Sequence, residues 1–125
     1  MKIAITTDDW ETISAQFIST KGFAIFKVEG TIIKSMEYRT SNITTHERRI
    51  NSGLQRFNRY AVIQNILKDC DVVITYVLEE QIIKDLKKID INVYQTEETN
   101  VKNALDLFLS NNLTNKPEKG FNHNH

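Results

Sequence analysis

The chain has few side chains that could bind a metal, and they are far apart in sequence. Its only thiol is Cys70, and its histidines are His46, His123 and His125. Thiolate and imidazole are ligands that proteins use for iron, copper and zinc. A single thiolate with one histidine could hold a cluster that brings its own sulfides, although the two could not build a structural metal site alone. Cys70 and His46 are therefore the predicted metal ligands.

Each of these residues also has an ordinary structural interpretation. Cys70 opens an apolar run, where a free cysteine is usually a small buried residue. His46 stands in a polar segment, where an isolated histidine binds metal weakly unless other ligands converge on it. His123 and His125 form an H-x-H pair that could bind zinc, copper or nickel loosely, but their surroundings favour a disordered tail. These alternatives stay open beside the metal hypothesis.

Carboxylates follow the first apolar run and flank the cysteine. Asp8, Asp9 and Glu11 form the first group, and Asp69 and Asp71 form the second. A metal-dependent nuclease needs several carboxylates around two metal ions about 4 Å apart. Here the acids fall in predicted turns, where aspartate oxygens accept hydrogen bonds from nearby backbone amides. Turn capping is the favoured interpretation for Asp8 and Asp9, and a nuclease is the weakest of the functional alternatives.

A basic segment follows His46. Four arginines stand against one neighbouring acid, Glu47, with two aromatic residues among them: Arg48, Arg49, Arg56 and Arg59, with Phe57 and Tyr60. Guanidinium groups bind carboxylates and other anions through paired hydrogen bonds. The segment could bind an anionic cofactor, a nucleic acid or an acidic protein partner, and the alternative is a solvated loop that leads into a helix.

Hydrophobic periodicity predicts an α/β domain with the element order β-β-β-α-β-α-β-α and a five-stranded mixed sheet. The strands are expected at Lys2–Thr6, Phe23–Val28, Ile32–Tyr38, Val72–Val77 and Ile91–Tyr94. The helices are expected at Tyr60–Lys68, at Glu79–Lys88 and after a cap at Thr99 or Asn100. Residues 10–22 indicate a loop or short helix packed on the sheet, and residues 39–59 an exposed loop.

The amino-acid composition and charge of the chain argue against several classes of protein. Sixteen basic residues balance 16 acidic ones among 125 residues, which argues against a protein that coats nucleic acid or an anionic membrane. No window approaches the ~20 apolar residues of a membrane-spanning helix, and one cysteine cannot form an internal disulfide. We therefore expect a cytoplasmic protein with one domain over residues 1–113. The polar segment 114–125 is predicted to be a disordered tail.

Several stretches together resemble the dinitrogenase iron–molybdenum cofactor family of nitrogenase-accessory-type domains. They are Met1–Ile5 with Asp8 and Asp9, Phe17 leading into Phe23–Phe26, Ile66–Ile74, Leu86–Lys88 with Ile91–Tyr94, and the closing helix through Ser110. The resemblance covers residues 1–113. It implies a ribonuclease H-like three-layer fold and no enzymatic activity. It also implies binding or carriage of an iron–sulfur or iron–molybdenum cofactor precursor.

The resemblance also indicates where such a cofactor would bind. Members of the family often carry His-Phe-Gly after the first strand, where this chain has Gln16, Phe17 and Ile18. Gln16 is therefore a predicted cofactor-binding residue, together with His46, Cys70, Arg48 and Arg49. The site is expected between residues 9–17, residues 39–59 and residues 76–79, at the carboxyl ends of the parallel strands.

The missing histidine and glycines define the alternative hypothesis. A bulky anion uses glycines for close backbone approach and for turns with positive φ. Glycines that the family often has are missing here at Ile18 and in the turn at residues 76–80, and the 39–59 loop keeps only Gly53. The chain would then be a divergent protein-interaction module without a cofactor. It would dock on an acidic partner through the arginines of residues 39–59.

Overall fold

Three helices and five strands form the fold of this chain in a computed structural model, which describes residues 1–17, 20–40 and 55–113. The strands are β1 Lys2–Thr6, β2 Gly22–Glu29, β3 Ile32–Thr40, β4 Val72–Thr75 and β5 Asn92–Gln95. The helices are α1 Gln55–Leu67, α2 Glu80–Lys88 and α3 Val101–Leu109. The element order confirms the prediction. No helix among the described residues is long and apolar enough to span a bilayer.

The sheet has the strand order β3-β2-β1-β4-β5. β1 is parallel to β4, and β4 is parallel to β5, whereas β2 is antiparallel to both of its neighbours. The antiparallel part follows from a hairpin, because Gly30 adopts φ 64° in the turn between β2 and β3. This mixed five-stranded order is the ribonuclease H-like arrangement that the resemblance implies.

The central strands are apolar because both of their faces are covered. Ile3, Ala4 and Ile5 of β1 are fully buried, and β4 is buried throughout its length. One face of the sheet packs on α1 and α2 in a cluster that includes Ile63, Leu67, Ile82, Ile83 and Leu86. The other face packs on α3 in a cluster that includes Val101, Ala104 and Leu105. The result is the predicted three-layer domain.

The caps and edges of the elements differ in detail from the sequence expectations. Asn100 caps α3 as predicted, since its side chain accepts a hydrogen bond from the Asn103 amide at 2.9 Å. The prediction of a loop over residues 39–59 is wrong at both ends, because β3 continues through Thr40 and α1 begins at Gln55. β3 continues because its last residues still pair with Gly22 and Phe23 of β2. Residues 41–54 and 114–125 lie outside the described part of the chain.

Candidate functional site

A groove opens where β1 and β4 end side by side. Ile5 pairs with Ile74 in the parallel ladder, so the segments that follow these two strands emerge at the same edge of the sheet. Between them lies a groove of about 380 Å³, which we call the edge groove. It is lined by Ala15, Gln16, Phe17, Val77, Leu78, Glu79 and Ile82. Two of the three segments predicted to form the site therefore meet at this edge.

Buried polar side chains on the α1–α2 face hold this edge of the sheet together. Thr6 ends β1 and Thr75 ends β4, and their hydroxyl oxygens are 3.0 Å apart in a fully buried hydrogen bond. Gln95 at the end of β5 accepts a hydrogen bond from the Leu78 amide at 2.7 Å. These contacts fix the segment after β4 against its neighbours, because buried polar groups that lose their partners are costly.

The walls of the edge groove are largely apolar and its lip is polar. Phe17 packs edge-on against Phe23, with ring centroids 5.7 Å apart, and Leu78 and Ile82 are also buried. Val77 is 48% exposed although it is aliphatic. Gln16 is exposed at the lip, and its backbone amide donates to the Ser14 hydroxyl at 3.3 Å. Gln16 therefore lies at the groove, and its part in cofactor binding stays a prediction.

The amino terminus of α2 also faces the groove. Glu79 and Ile82, which bracket the first turn of α2, both line the groove. The Glu79 side chain makes no capping hydrogen bond to the amides of that turn. The first amides of a helix have no partners within the helix and carry partial positive charge, so they favour negative charge nearby.

The carboxylates after β1 are used by the turn itself. Asp9 accepts hydrogen bonds from the Glu11 and Thr12 amides at 2.9 and 2.8 Å, and these bonds lower the pKa of Asp9. Asp8 accepts from the Lys21 amide at 2.7 Å. The turn-capping prediction is confirmed. Within the part of the chain that the structure describes, no three His, Cys, Asp or Glu side chains are placed to share a metal ion.

Cys70 lies away from the edge groove. It comes before β4, whose first residue Val72 pairs with Ile3 and Asn92 near the amino ends of their strands. The thiol is 5% exposed within the core that α1 and α2 cover, and burial raises its pKa to about 12. Gln16 follows the opposite ends of these strands. The structure therefore does not bring Cys70 and Gln16 together.

The other predicted site residues fall outside what the structure describes. His46, Arg48 and Arg49 belong to residues 41–54, and His123 and His125 belong to residues 114–125. The backbones of Arg56 and Arg59 lie in α1, with side chains that are not described. Their roles remain predictions.

The groove offers few soft ligands for a metal–sulfur cluster. The chain contains one cysteine and two methionines, and none of these three residues lines the groove. Iron–sulfur clusters of the common types are held by cysteine thiolates. Such a cluster does not fit this donor set, whereas a cluster that supplies all of its own sulfide, with nitrogen and oxygen contacts from the protein, does fit.

Sequence pattern alone missed Ala15, Ile82 and the Thr6–Thr75 pair. A signal existed for the pair, because two strongly apolar strands each end in a buried threonine. Ala15 and Ile82 carry no signal of their own, since their place on the groove depends on how the segment after β1 and helix α2 pack together.

Solved structures of similar fold are found at low sequence identity. The crystal structure of PH0822 has a TM-score of 0.70 at 19% identity, covering 91% of this chain and 93% of that one. The apo form of the orange protein from Desulfovibrio gigas has a TM-score of 0.67 at 20% identity, covering 90% of each chain. A Methanocaldococcus jannaschii protein designated a candidate dinitrogenase has a TM-score of 0.65 at 23% identity, covering 91% of this chain and 92% of that one.

At these identities the likeness establishes the fold alone. No curated protein matches the chain significantly. A family model for the dinitrogenase iron–molybdenum cofactor matches residues 1–111, which is nearly all of the described domain. The chain therefore belongs to the dinitrogenase iron–molybdenum cofactor family.

Proposed function

We propose that this chain is a small non-enzymatic carrier that binds a sulfide-containing iron or iron–molybdenum cofactor precursor as cargo in the edge groove. The observation that carries the proposal is the position of the groove. It lies at the carboxyl ends of two adjacent parallel strands, where open α/β sheets bind ligands, and the chain belongs to a family defined by such a cofactor.

The groove has features that suit a preformed cluster. Its walls are apolar and rigid, because Phe17, Leu78 and Ile82 are anchored in the core. The Gln16 carboxamide at the lip can donate hydrogen bonds to sulfide or oxo groups of the cargo. The first-turn amides of α2 add donors with partial positive charge on a second wall. These contacts suit an anion that needs no cysteine from the protein.

The negative charge of Glu79 in the groove suggests that the basic segment after His46 helps to bind an anionic cargo. Glu79 on the groove wall disfavours an anionic cargo, so positive charge must come from elsewhere in the chain. Arg48 and Arg49 supply it in our proposal, and His46 supplies one nitrogen ligand to the metal. Cys70 serves packing in this account, because its thiol is buried at the other end of the strands.

The proposal is tested by cofactor uptake under anaerobic conditions. The purified chain is incubated with a source of iron–sulfur cofactor, desalted, and analysed for metal, sulfide and visible absorption. We expect stoichiometric metal with a broad charge-transfer band, reduced by Gln16→Ala and by His46→Ala and retained by Cys70→Ala. A wild-type chain that takes up nothing contradicts the proposal.

Free thiols and sulfide clusters persist in a reducing compartment, so the expected location is the cytoplasm.

The second candidate is a protein-interaction module that has lost the cofactor. It is favoured by one observation, the lack of sulfur and imidazole donors among the groove residues of the described chain. In that case Arg48 and Arg49 dock on an acidic protein. Two results distinguish this candidate from the carrier. The metal-free chain still binds an acidic partner after chelation, and it no longer binds when Arg48 and Arg49 are both changed to glutamate.

A further inference from the structure

Within the part of the chain that the structure describes, one sheet face is exposed along its edge strand, β3. Helix α3 covers Ile3, Ile5 and Ile74 of the central strands on its side of the sheet. Beyond it, on β3, the same face carries Met36 at 62% exposure and Ile33 at 37% exposure. Large apolar side chains that are exposed in a contiguous group indicate an interaction surface.

Strand register places these residues in one row. Ile33, Met36 and Tyr38 pair with Val28, Phe26 and Ala24 of β2, and those three residues belong to the core that α3 covers. Directly opposed residues in an antiparallel pair point to the same face of the sheet. Trp10 extends the row, because its ring lies 5.5 Å from that of Tyr38. We call Ile33, Met36, Tyr38 and Trp10 the β3 strip.

Trp10 is held in place rather than loosely attached. Its φ of 74° is unusual for a residue with a bulky side chain. The Trp10 amide donates to the Thr7 hydroxyl at 3.0 Å, and the Tyr38 hydroxyl donates to the Thr7 carbonyl oxygen at 2.7 Å. The indole is nevertheless 41% exposed. A preorganised, exposed tryptophan is the kind of side chain that dominates binding energy at protein interfaces.

Acidic residues border one end of the strip. Asp8, Asp9 and Glu11 flank Trp10 in sequence and are exposed. The segment before α3 lies against this turn, because the Val101 amide donates to the Glu11 carbonyl oxygen at 2.8 Å. Glu97 and Glu98 precede this contact in sequence. The strip is therefore apolar along β3 and strongly acidic around Trp10.

We propose that the β3 strip docks a partner protein through a contact segment that carries apolar side chains along its length and basic side chains at one end. The apolar side chains cover Met36 and Ile33, and the basic ones approach the Trp10 ring face and its surrounding carboxylates. An edge-to-edge β pairing with β3 is a poorer fit, because the register shifts between Lys27 and Val28 and such irregularities protect edges. The proposal stands independently of cargo in the edge groove.

Trp10 is the only tryptophan of the chain, so its fluorescence reports on the strip directly. The probe is a synthetic peptide with a leucine-rich part followed by lysines, compared with a leucine–glutamate peptide and a serine–lysine peptide of the same length and arrangement. We expect a saturable change of Trp10 emission with the leucine–lysine peptide. Affinity should be at least about tenfold lower for each of the other two peptides, because both charge and apolar contact contribute.

Variants inside and outside the β3 strip test whether the peptide binds at the strip. Met36→Ser and Glu11→Lys should each weaken binding of the leucine–lysine peptide about tenfold. Ile89→Ser, which alters an aliphatic residue that is 41% exposed just after α2, should leave it unchanged. Equal affinity for all three peptides, or equal effects of Met36→Ser and Ile89→Ser, overturns the proposal.

Two other occupants of the β3 strip, a second copy of the chain and residues 114–125, can be distinguished from a different partner protein by further measurements on the same protein and its variants. If a second copy covers the strip, sedimentation shows a dimer that Met36→Ser dissociates, and the proposal of a different partner is wrong. If residues 114–125 of the same chain cover it, Phe121→Ser red-shifts Trp10 emission in the absence of peptide, which also overturns the proposal. A monomer with unshifted emission in Phe121→Ser supports the open strip.

Discussion

The hydroxyls of Thr6 and Thr75 share a fully buried hydrogen bond, 3.0 Å between their oxygens, where the parallel strands β1 and β4 end. The Thr6 hydroxyl also lies 3.2 Å from the Ser14 carbonyl oxygen, which ties it to the segment that leads to Gln16. The last residues of the two strands and the lip of the edge groove are therefore parts of one hydrogen-bonded unit. Changes to this unit should affect both stability and cargo binding.

Thr75→Val tests the coupling, because valine has nearly the same shape without the hydroxyl. It removes one partner of Thr6 inside the core and should lower the free energy of unfolding by about 1–2 kcal/mol. Thr99→Val, at an exposed position before α3, is the control and should change it by less than about 0.5 kcal/mol. Urea unfolding followed by circular dichroism measures both, and equal effects would show that the buried pair contributes nothing.

The ion pair between Arg39 and Asp69 should make stability depend on pH. Arg39 donates to both carboxylate oxygens of Asp69, at 2.7 and 3.1 Å, and Lys2 donates at 2.8 Å. The hydrogen bond from Arg39 and then that from Lys2 hold the pKa of Asp69 well below its usual value. A lowered pKa gives stability that is present above the unfolded value of about 3.9 and is lost as pH falls through the folded value.

Asp69→Asn should therefore cost stability near neutral pH and progressively less below about pH 4. We expect about 1 kcal/mol at neutral pH, reduced by solvent screening because the Asp69 side chain is 43% exposed. Asp106→Asn, in the exposed pair with Lys102 at 3.5 Å, is the matched control and should cost less than about 0.5 kcal/mol at any pH. Urea midpoints across pH test this, and a cost for Asp69→Asn that stays constant into acid contradicts it.

Cys70 should be nearly inert in the folded chain. Because burial raises the pKa of its thiol to about 12, the reactive thiolate is scarce even in mild alkali. Alkylation by iodoacetamide, followed by mass spectrometry, should be at least about a hundredfold slower in native protein than in urea. Comparable rates in the two conditions would place the thiol at the surface and restore Cys70 as a ligand.

Gly22 should tolerate no side chain. An added Cβ would lie 2.5 Å from the Arg39 carbonyl oxygen and 2.7 Å from ring carbons of Tyr38. Gly22→Ala should therefore destabilise the protein by about 2–3 kcal/mol, because β3 must move away from β2. Gly30→Ala is the comparison: it meets no atom within 4 Å and should cost about 1 kcal/mol, from its positive φ alone. Thermal unfolding ranks the two, and a smaller cost at Gly22 refutes the clash.

Most elements of the fold could be predicted from the sequence. Apolar runs predicted β1 and β4, because strands that are buried on both faces are apolar along their length. Asn100 predicted the start of α3, because helix capping is a local sequence pattern. The extension of β3 to Thr40 was not predictable, because it depends on pairing with Gly22 and Phe23 of β2 and on Asp69, which binds Arg39 from far along the chain. Such long-range partners leave no local signature.

The position of the edge groove was predictable from the sequence, but the residues that line it were not. The rule that ligands bind at the carboxyl ends of parallel strands put Gln16 near the segment after β4, and the structure agrees. The same rule argues against Cys70, because Cys70 precedes β4 and so lies at the amino end of a parallel strand. Only the direction of β4 relative to β1 separates the cysteine from the groove.

The most direct test of the carrier proposal is to fill the edge groove. Ala15 lines the groove and is exposed, and Ala61 is an exposed alanine on α1 outside it. Metal and sulfide per chain are measured after anaerobic loading and gel filtration for wild type, Ala15→Trp and Ala61→Trp. We predict stoichiometric loading of wild type and Ala61→Trp, and little or none of Ala15→Trp. Equal loading of the two tryptophan variants would contradict cargo binding in the groove.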